Sequence, residues 1–331
     1  MAKRDISLMK CDDTVEWMNF CRSSRQGCVY LWPDFLDAAG IEYELWFGLI
    51  GQELVAAVPV LMRDGKPFSS APALLRYYGI MLGALREDMP KHRRAAWTAK
   101  VMLGLLEQLS HHYNNLMFVC SPTLDDLRGF QWFNYGASRN DLFSLELLYT
   151  GIIDLESIKD FEQYVSGIRS SRRQDARKAQ SAGCTLNSSS DWKTFNEIHR
   201  LTFERQGMVE IHENDTRTME NITKAALKGG FGEMILAHTA EGETISGAVV
   251  LFDDHTAYYF AGANHPDKRN YGAGTLVLLE CIERAWKRGL KNFDLCGVNS
   301  PQRGDYKTSF DASMVPYFSA SWSCDNSQVR N

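Results

Sequence analysis

The chain has 331 residues, of which 44% are hydrophobic and 23% charged, and its formal net charge is −5. This composition excludes a disordered protein, and the acidic balance counts against a broad nucleic-acid surface, which favours a basic face. At roughly 100–200 residues per domain, the length predicts two domains.

The cysteines and the N-terminus indicate the compartment. None of the eight cysteines forms a C-x-x-C pair, which favours reduced thiols in the cytosol over a disulfide framework. No Cys/His cluster has the spacing of zinc ligands, so we predict no metal site. The N-terminus lacks the apolar segment of a secretory signal, and the longest apolar stretch, 54–62, reaches only about half of a membrane span. We therefore expect a cytoplasmic protein without a membrane-spanning segment.

The first half of the chain predicts strands with two helices between them. The strands are predicted at 43–50 and 53–62, separated by Gly51-Gln52, and then at 76–82, 115–120 and 142–149. The helices are predicted at 91–111 and 123–131.

The second half repeats a similar order of elements. Helices are predicted at 157–168, 170–181 and 191–206, followed by strands at 233–239, 245–252 and 256–263 and by a helix at 273–288 and a strand at 292–296. Glu241-Gly242-Glu243 and Asp253-Asp254 fit hairpin turns between the strands. The repeated order predicts an α/β (α+β) protein with two domains, 1–150 and 151–331.

The helix at 273–288 has the clearest pattern in the chain. Leu278, Ile282 and Ala285 recur on one face at helical spacing. Arg284 and Lys287 lie near its C-terminus, where the helix dipole favours cations, and Gly289 supplies a stop. This segment therefore predicts an amphipathic helix with defined ends.

A glycine-rich segment, Arg269-Asn270-Tyr271-Gly272-Ala273-Gly274-Thr275, lies between the strand at 256–263 and this helix. Backbone N–H groups in the first turn of a helix lack internal partners, and the helix dipole adds partial positive charge there. Glycines let a phosphate approach the backbone, and an arginine adds a charge-assisted bond. The segment predicts an anion site, with a tight turn that requires small residues as the alternative. Its glycine spacing is neither that of a dinucleotide-binding fold nor that of a P-loop.

The pattern Arg269-x-x-Gly272-x-Gly274 resembles the coenzyme A pyrophosphate motif of the GNAT acyltransferase superfamily. A longer likeness, over roughly residues 150–320, is to the C-terminal half of FemAB-like proteins. It is carried by Thr202–Gly207, Gly262–Asn264, Asp294–Gly297 and Tyr306–Phe310. This resemblance implies two tandem GNAT-like domains, each a mixed, mostly antiparallel sheet flanked by helices. The first would be degenerate, and the second would bind the acyl donor.

The same resemblance implies an acyl-coenzyme A co-substrate. Members that use aminoacyl-tRNA generally have a degraded pyrophosphate motif, whereas Arg269, Gly272 and Gly274 are all present here. The residues assigned to the donor are Phe260, Ala261, Gly262 and Ala263 on the strand, and Arg269, Asn270, Tyr271, Gly272, Ala273, Gly274 and Thr275 at the turn. Gly262 suggests a bulge that frees a backbone N–H for the thioester carbonyl, although an ordinary strand glycine explains it equally well.

Three residues are candidates for catalysis. The resemblance implies that Tyr306 protonates the leaving thiolate, and a buried structural tyrosine is the alternative. Asp294, at the end of the last core strand, is a candidate to position or deprotonate the amine, unless it is a capping carboxylate. His265 is a third candidate, as a base, against the alternative of an exposed loop histidine.

Further residues are candidates for binding the acceptor. Lys307 matches a FemAB-like lysine that binds the acceptor or stabilises charge. Glu204 and Arg205 follow an amphipathic helix. Arg172 and Arg173 belong to a basic run that would clamp a diphosphate or form a solvated helix face. Tyr77 and Tyr78 would stack on a base or sugar, or belong to the core.

The resemblance implies an enzyme that moves an acyl group from coenzyme A to an amino group by direct attack on the thioester. Proteins of this type also resemble N-acyltransferases of surface-polysaccharide biosynthesis, which implies a nucleotide-linked amino sugar as the acceptor. One alternative is a FemAB-like transferase that uses aminoacyl-tRNA on a peptidoglycan precursor. Another is a non-catalytic module that senses coenzyme A. A nucleic-acid partner is not expected.

Overall fold

The computed structural model describes residues 6–85, 89–136, 141–207 and 209–324. The chain divides into two compact units. The first unit runs to Leu148 and takes in the chain from Pro316 onward, and the second unit is Tyr149–Val315. The final strand therefore groups with the first unit rather than with the residues expected to bind the donor.

The first unit contains a sheet in the order β1-β2-β3-β4, with β5 paired to β3 and every pair antiparallel. Its elements are β1 (Ser7–Lys10), α1 (Thr14–Ser23), a 3-10 turn (Val29–Leu31), α2 (Pro33–Ala38), β2 (Glu42–Ile50), β3 (Glu53–Arg63), β4 (Lys66–Pro67), β5 (Met81–Leu82), α3 (Lys91–Ser110), β6 (Asn115–Val119) and α4 (Arg128–Trp132). The core includes Leu105 of α3 and Phe118 of β6, both fully buried.

Two predictions for the first half were partly wrong. The strand predicted at 76–82 is limited to Met81–Leu82. The carbonyl of Tyr77 accepts a hydrogen bond from the thiol of Cys28 instead of joining a strand ladder. The helix predicted at 123–131 begins only at Arg128.

The second unit is built around strands in the order β7-β12-β11-β10-β9-β8. All neighbours are antiparallel except β11 and β12. The elements from the unit boundary onward are β7 (Ser144–Asp154), α5 (Phe161–Gly167), α6 (Ser170–Ser181), β8 (Thr185–Ser188), α7 (Trp192–Arg205), α8 (Val209–Gly229), β9 (Gly232–His238), β10 (Thr244–Phe252), β11 (Thr256–Asn264), a 3-10 turn (Pro266–Tyr271), α9 (Ala273–Lys287), β12 (Asn292–Asp294), α10 (Pro301–Thr308) and β13 (Ser313–Ser323). The mixed, mostly antiparallel sheet with flanking helices confirms the predicted fold class.

Helix α9 anchors the core of the second unit. Val277, Leu278 and Ile282 on α9 are each at most 1% exposed, and they pack with strand residues such as Ile235 and Phe293. Burying a side chain of this size contributes roughly 1.5–3 kcal/mol. The core therefore holds the N-terminus of α9 in a fixed place at the end of β11.

The second half contains elements that the sequence did not predict, among them β8 and β13, and one predicted strand ends early. Helices α8 and α10 were not predicted, and α10 carries Tyr306 and Lys307. The strand predicted at 292–296 ends at Asp294. Cys296 and Gly297 have φ values of 50° and 47°, and this left-handed conformation is incompatible with a strand.

Candidate functional site

The segment before α9 forms an uncapped helix N-terminus. Gly272 is the N-cap residue, with φ 78° and ψ 9°, and no side chain caps the helix. The amides of Thr275 and Leu276 donate to the Gly272 carbonyl at 3.1 and 3.3 Å. Within the described residues, no hydrogen bond engages the amides of Ala273 and Gly274. Two free donors next to the exposed Arg269 make the local arrangement of an anion site.

Both glycines of this segment are also required by protein packing. A Cβ at Gly272 would lie 2.2 Å from the carbonyl oxygen of Asp175 on α6. A Cβ at Gly274 would lie 2.1 Å from Oδ1 of Asn264, an atom held in place by the Ser246 hydroxyl at 2.9 Å. The glycines are thus explained by a tight turn. The amides of Ala273 and Gly274, rather than the glycines, indicate an anion site.

A bulge interrupts β11, but not at the predicted residue. Val249 of β10 pairs with Ala261, and Val250 pairs with Tyr259, so Phe260 is the extra residue. A bulge leaves a backbone group outside the ladder. Gly262 has a different role, because a Cβ there would lie 1.9 Å from the hydroxyl of Tyr259. Because Gly262 has no side chain, it leaves space for the side chain of Tyr259.

Tyr306 lies on α10 with its hydroxyl at the N-terminus of α9. Burial raises the pKa of Tyr306 to about 12, while a hydrogen bond with Thr275 and the charge of Arg172 act to lower it. The guanidinium carbon of Arg172 lies 5.1 Å from the centre of the Tyr306 ring. A phenol with this pKa is protonated at neutral pH, which is the state that a general acid requires.

Tyr259 and Lys307 lie beside this tyrosine. Burial, with a smaller contribution from Tyr306, raises the pKa of Tyr259 well above its ordinary value. The Lys307 ammonium lies 5.5 Å from the centre of the Tyr259 ring. It donates to the carbonyls of Leu295, at 2.6 Å, and of Cys296. In this structure Lys307 therefore binds the turn that follows β12.

Asp294 and His265 also take part in local structure. Asp294 is 2% exposed and accepts hydrogen bonds from the Thr150 hydroxyl and, at 2.7 Å, from the Cys296 amide. The backbone amide of His265 donates to Ile245 at 2.9 Å. Its Nδ1 is buried and has no partner among the described residues. Roles for either residue toward an amine stay predictions.

The predicted acceptor residues of α6 and α7 make contacts within the protein. Arg172 pairs with Asp175 at 3.0 Å, and the Arg173 guanidinium donates to the carbonyls of Ile168, at 2.7 Å, and Ser166. Glu204 pairs with Arg200 at the exposed end of α7, where Arg205 is exposed as well. These contacts give Arg172 and Arg173 a structural role, and acceptor binding by them stays a prediction.

Tyr77 and Tyr78 belong to the core of the first unit. They are 2% and 0% exposed. Tyr77 packs edge-on against Tyr317 at 5.3 Å and Tyr30 at 6.0 Å. Burial raises the pKa of Tyr78. Stacking of either ring on an acceptor stays a prediction.

Sequence reasoning missed three residues that lie against glycines of this region. They are Asp175, Tyr259 and Asn264, which contact Gly272, Gly262 and Gly274 respectively. One signal was present in the sequence, because Arg172 and Asp175 have the i, i+3 spacing of an ion pair on one helix face.

No helix in the part of the chain that the structure describes has both the length and the apolar character needed to cross a membrane. Residues 6–85, 89–136, 141–207 and 209–324 also contain no group of three or more His, Cys, Asp or Glu side chains arranged to hold a metal ion.

Residues 166–308 match the family model of an acetyltransferase (GNAT) domain. This match covers the region from α6 to α10, and it includes the glycine segment, the β11 bulge and Tyr306. No curated protein matches the sequence.

Solved structures with similar folds cover nearly the whole chain. FemX is 14% identical, with a TM-score of 0.66, and the match covers 94% of this chain and 96% of that one. A tandem GNAT protein from the clavulanic acid biosynthesis pathway is 13% identical, with a TM-score of 0.51 and coverages of 98% and 100%. L-PGS from Bacillus licheniformis is 12% identical, with a TM-score of 0.52 and coverages of 96% and 93%.

At these identities the likeness shows the fold alone. The predicted tandem GNAT-like, FemAB-like fold is confirmed, and the domain match supports acyl transfer as the reaction class. The fold and the domain match identify neither the acyl donor nor the acceptor.

Proposed function

We propose that this protein is an N-acyltransferase that moves an acyl group from acyl-coenzyme A to an amino group. The observation that carries the proposal is the uncapped N-terminus of α9, where the amides of Ala273 and Gly274 lack partners among the described residues. The GNAT-type domain over 166–308 supports an acyl-group reaction.

The donor's pyrophosphate binds at this N-terminus. Because α6 covers Gly272, the groups available to phosphate are the amides of Ala273 and Gly274 and the side chain of Arg269. The helix dipole favours an anion there, and the guanidinium adds a charge-assisted hydrogen bond. The thioester then lies along β11.

Acyl transfer needs a hydrogen-bond donor that binds the carbonyl oxygen of the thioester. The backbone group left outside the ladder by the bulge at Phe260 is our candidate for this donor. A fixed N–H aimed at the developing oxyanion stabilises the tetrahedral intermediate without reorganisation. No side chain is needed for this step.

The amine nitrogen attacks the thioester carbonyl carbon, and the C–S bond breaks as the tetrahedral intermediate collapses. Tyr306 gives its phenolic proton to the leaving thiolate, so that the O–H bond breaks and an S–H bond forms. The resulting tyrosinate regains a proton from the nitrogen, which loses one as it becomes an amide. The net products are an amide and free coenzyme A.

The proposed acceptor is a small molecule with a primary amine, and a nucleotide-linked amino sugar is the first class to screen. Lys307, Glu204 and Arg205 remain its proposed contacts, together with Arg172 and Arg173. The reaction would serve surface-polysaccharide biosynthesis in the cytoplasm.

One observation favours a second candidate, a FemAB-like transferase that uses aminoacyl-tRNA. The backbone of Asp175 lies against Gly272, so one side of the glycine turn is closed to a pyrophosphate. An acyl donor that places no pyrophosphate at this turn, such as aminoacyl-tRNA, would not be affected by the closed side. Salt-dependent affinity for tRNA would support this candidate.

Calorimetric titration with coenzyme A and acetyl-coenzyme A tests the proposal. Loss of a hydrogen bond to a charged group costs about 1.5–3 kcal/mol, so Arg269→Ala should weaken binding by roughly 10- to 150-fold. The matched control is Lys287→Ala, at the opposite end of α9, where the side chain is 62% exposed and pairs with Glu283. The affinity of Lys287→Ala for coenzyme A should equal that of the wild type.

Each other result has a defined meaning. No binding of either ligand to the wild type overturns the coenzyme A proposal and directs attention to aminoacyl-tRNA. Tight binding without turnover of any amine indicates the non-catalytic sensor.

A further inference from the structure

Four polar side chains lie together at the N-terminus of α9. Hydrogen bonding by Thr275 acts to lower the pKa of Tyr306, and the Thr275 hydroxyl oxygen lies 3.4 Å from Oδ2 of Asp175. Asp175 pairs with Arg172 at 3.0 Å. Arg172 also meets Tyr306, because its guanidinium lies over the Tyr306 ring.

Thr275 has a single hydroxyl proton to share between two neighbours. A carboxylate only accepts hydrogen bonds, so the contact with Asp175 requires Thr275 to donate. The Thr275 oxygen then accepts from a protonated Tyr306. A tyrosinate also only accepts, and Thr275 must turn its proton away from Asp175 to stabilise it.

Arg172 is placed to support both arrangements. It keeps a partner for the Asp175 carboxylate when Thr275 turns away, and its positive charge over the ring favours the tyrosinate. The side chains of Arg172 and Asp175 are 22% and 37% exposed, and Thr275 is 3% exposed. The contact between Thr275 and Asp175 is therefore shielded from solvent on the Thr275 side.

We propose that Thr275, Asp175 and Arg172 act as a proton-position switch for Tyr306. With Tyr306 protonated, Thr275 donates to Asp175. Once Tyr306 has given up its proton, Thr275 donates to the Tyr306 oxygen, and Asp175 keeps its bond to Arg172. The three side chains are positioning residues, since only Tyr306 meets the leaving group. This inference rests on the proposed function for the fate of the proton.

The charged and titratable groups that face Tyr306 set the direction of each variant's effect. Arg172 lowers the pKa of Tyr306, Asp175 and Cys281 raise it, and the Thr275 hydrogen bond lowers it. Tyr259 on β11 is coupled to it through space, and Lys307 is its neighbour on α10. Removing Asp175 and removing Thr275 should therefore move this pKa in opposite directions.

The test replaces Tyr306 by 3,5-difluorotyrosine in the full chain and follows its single ¹⁹F resonance against pH. Fluorination makes the phenol more acidic, which brings the titration into a range where the protein is folded. We expect Thr275→Val and Arg172→Met to raise the pKa by about one unit each, a tenfold change in the equilibrium. Asp175→Asn should lower it.

The control is Arg177→Met, an exposed cation on the same helix, which should leave the titration unchanged. If Arg172→Met does not fold, Arg172→Lys keeps the charge and should shift the pKa less than Thr275→Val. An unchanged titration in both Thr275→Val and Asp175→Asn, or shifts of both in one direction, overturns the switch.

The readout needs no substrate, so its outcome is separate from that of the proposed function. With turnover of an amine substrate, Thr275→Val should lower kcat about tenfold and leave the KM for the amine unchanged. The expected ¹⁹F shifts in a protein that acylates no amine would keep the switch and overturn the transferase.

Discussion

Gly272 lies directly against Asp175: a Cβ at residue 272 would stand 2.2 Å from the Asp175 carbonyl oxygen and 2.9 Å from its Cα. Both contacts are with backbone atoms of α6, which cannot rotate away as a side chain can. This contact fixes α6 beside the N-terminus of α9. It also brings Arg172 and Asp175 to Tyr306.

Gly272→Ala should therefore destabilise the protein more than a change at any unobstructed glycine. A non-glycine residue at positive φ costs roughly 1–3 kcal/mol, and the clash with α6 adds to this cost. Gly289 has φ 75° with no atom near its would-be Cβ, so Gly289→Ala measures the backbone cost alone. Urea unfolding of both variants gives the difference. Equal losses would contradict the close packing.

Gly274→Ala should be tolerated better when its neighbour is shortened. The obstructing atom is Oδ1 of Asn264, at the end of a side chain, so Asn264→Ala removes it. Residues in contact show interaction energies of about 0.5–3 kcal/mol in double-mutant cycles. We expect the loss in unfolding free energy of the double variant to be smaller than the sum of the single losses. Strict additivity would show that the two positions are independent.

Tyr306→Phe should lower kcat by roughly 10²–10⁴-fold if the phenol is the general acid. Thr308→Ala, two positions further along α10, is the control, since its hydroxyl donates only to backbone carbonyls of its own helix. Steady-state kinetics with the acceptor found by screening would measure the loss. A kcat equal to that of the wild type would assign Tyr306 to the core.

Tyr306 also makes stability depend on pH in the alkaline range. Its pKa in the folded protein is about 12, above the ordinary value of 10.0. A raised pKa contributes stability that is complete below pH 10 and is lost as pH rises toward 12. Wild type should lose unfolding free energy faster than Tyr306→Phe between these limits. Urea unfolding from pH 9 to 12 measures the two losses, and parallel losses would show that the pKa of Tyr306 is not raised by folding.

Lys307→Met should destabilise the second unit even if Lys307 never contacts a substrate. Its ammonium binds the carbonyls of Leu295 and Cys296, and leaving such groups unpaired costs about 1–3 kcal/mol. Lys178→Met, on the exposed face of α6, should change little. Thermal unfolding of the two variants would separate this structural role from any role in acceptor binding.

Long elements with a strong local pattern were predictable. The strand pair at 43–62 and the helix at 170–181 were found close to their observed limits. Shorter segments failed where tertiary contacts override local preference. Cys296 adopts a left-handed conformation while its amide binds Asp294 and its carbonyl binds Lys307, and no local signal marks that turn.

Only the part of the candidate site that depends on local backbone structure was predictable from the sequence. The uncapped N-terminus follows from glycines before a helix, and the free amides are a property of the backbone. The bulge could not be located from Gly262, because its position at Phe260 depends on the register with β10. The side chain of Tyr259 explains Gly262 instead.

The sequence by itself determined the α+β class, the helix at 273–288 and the glycine turn before it. These depend on side-chain periodicity and on the backbone freedom of glycine, both of which act over a few residues. Only the tertiary structure decided what surrounds that turn. Asp175 and Thr275 meet although they are 100 positions apart, because the packing of α6 and α9 brings distant residues together at a point that no local pattern specifies.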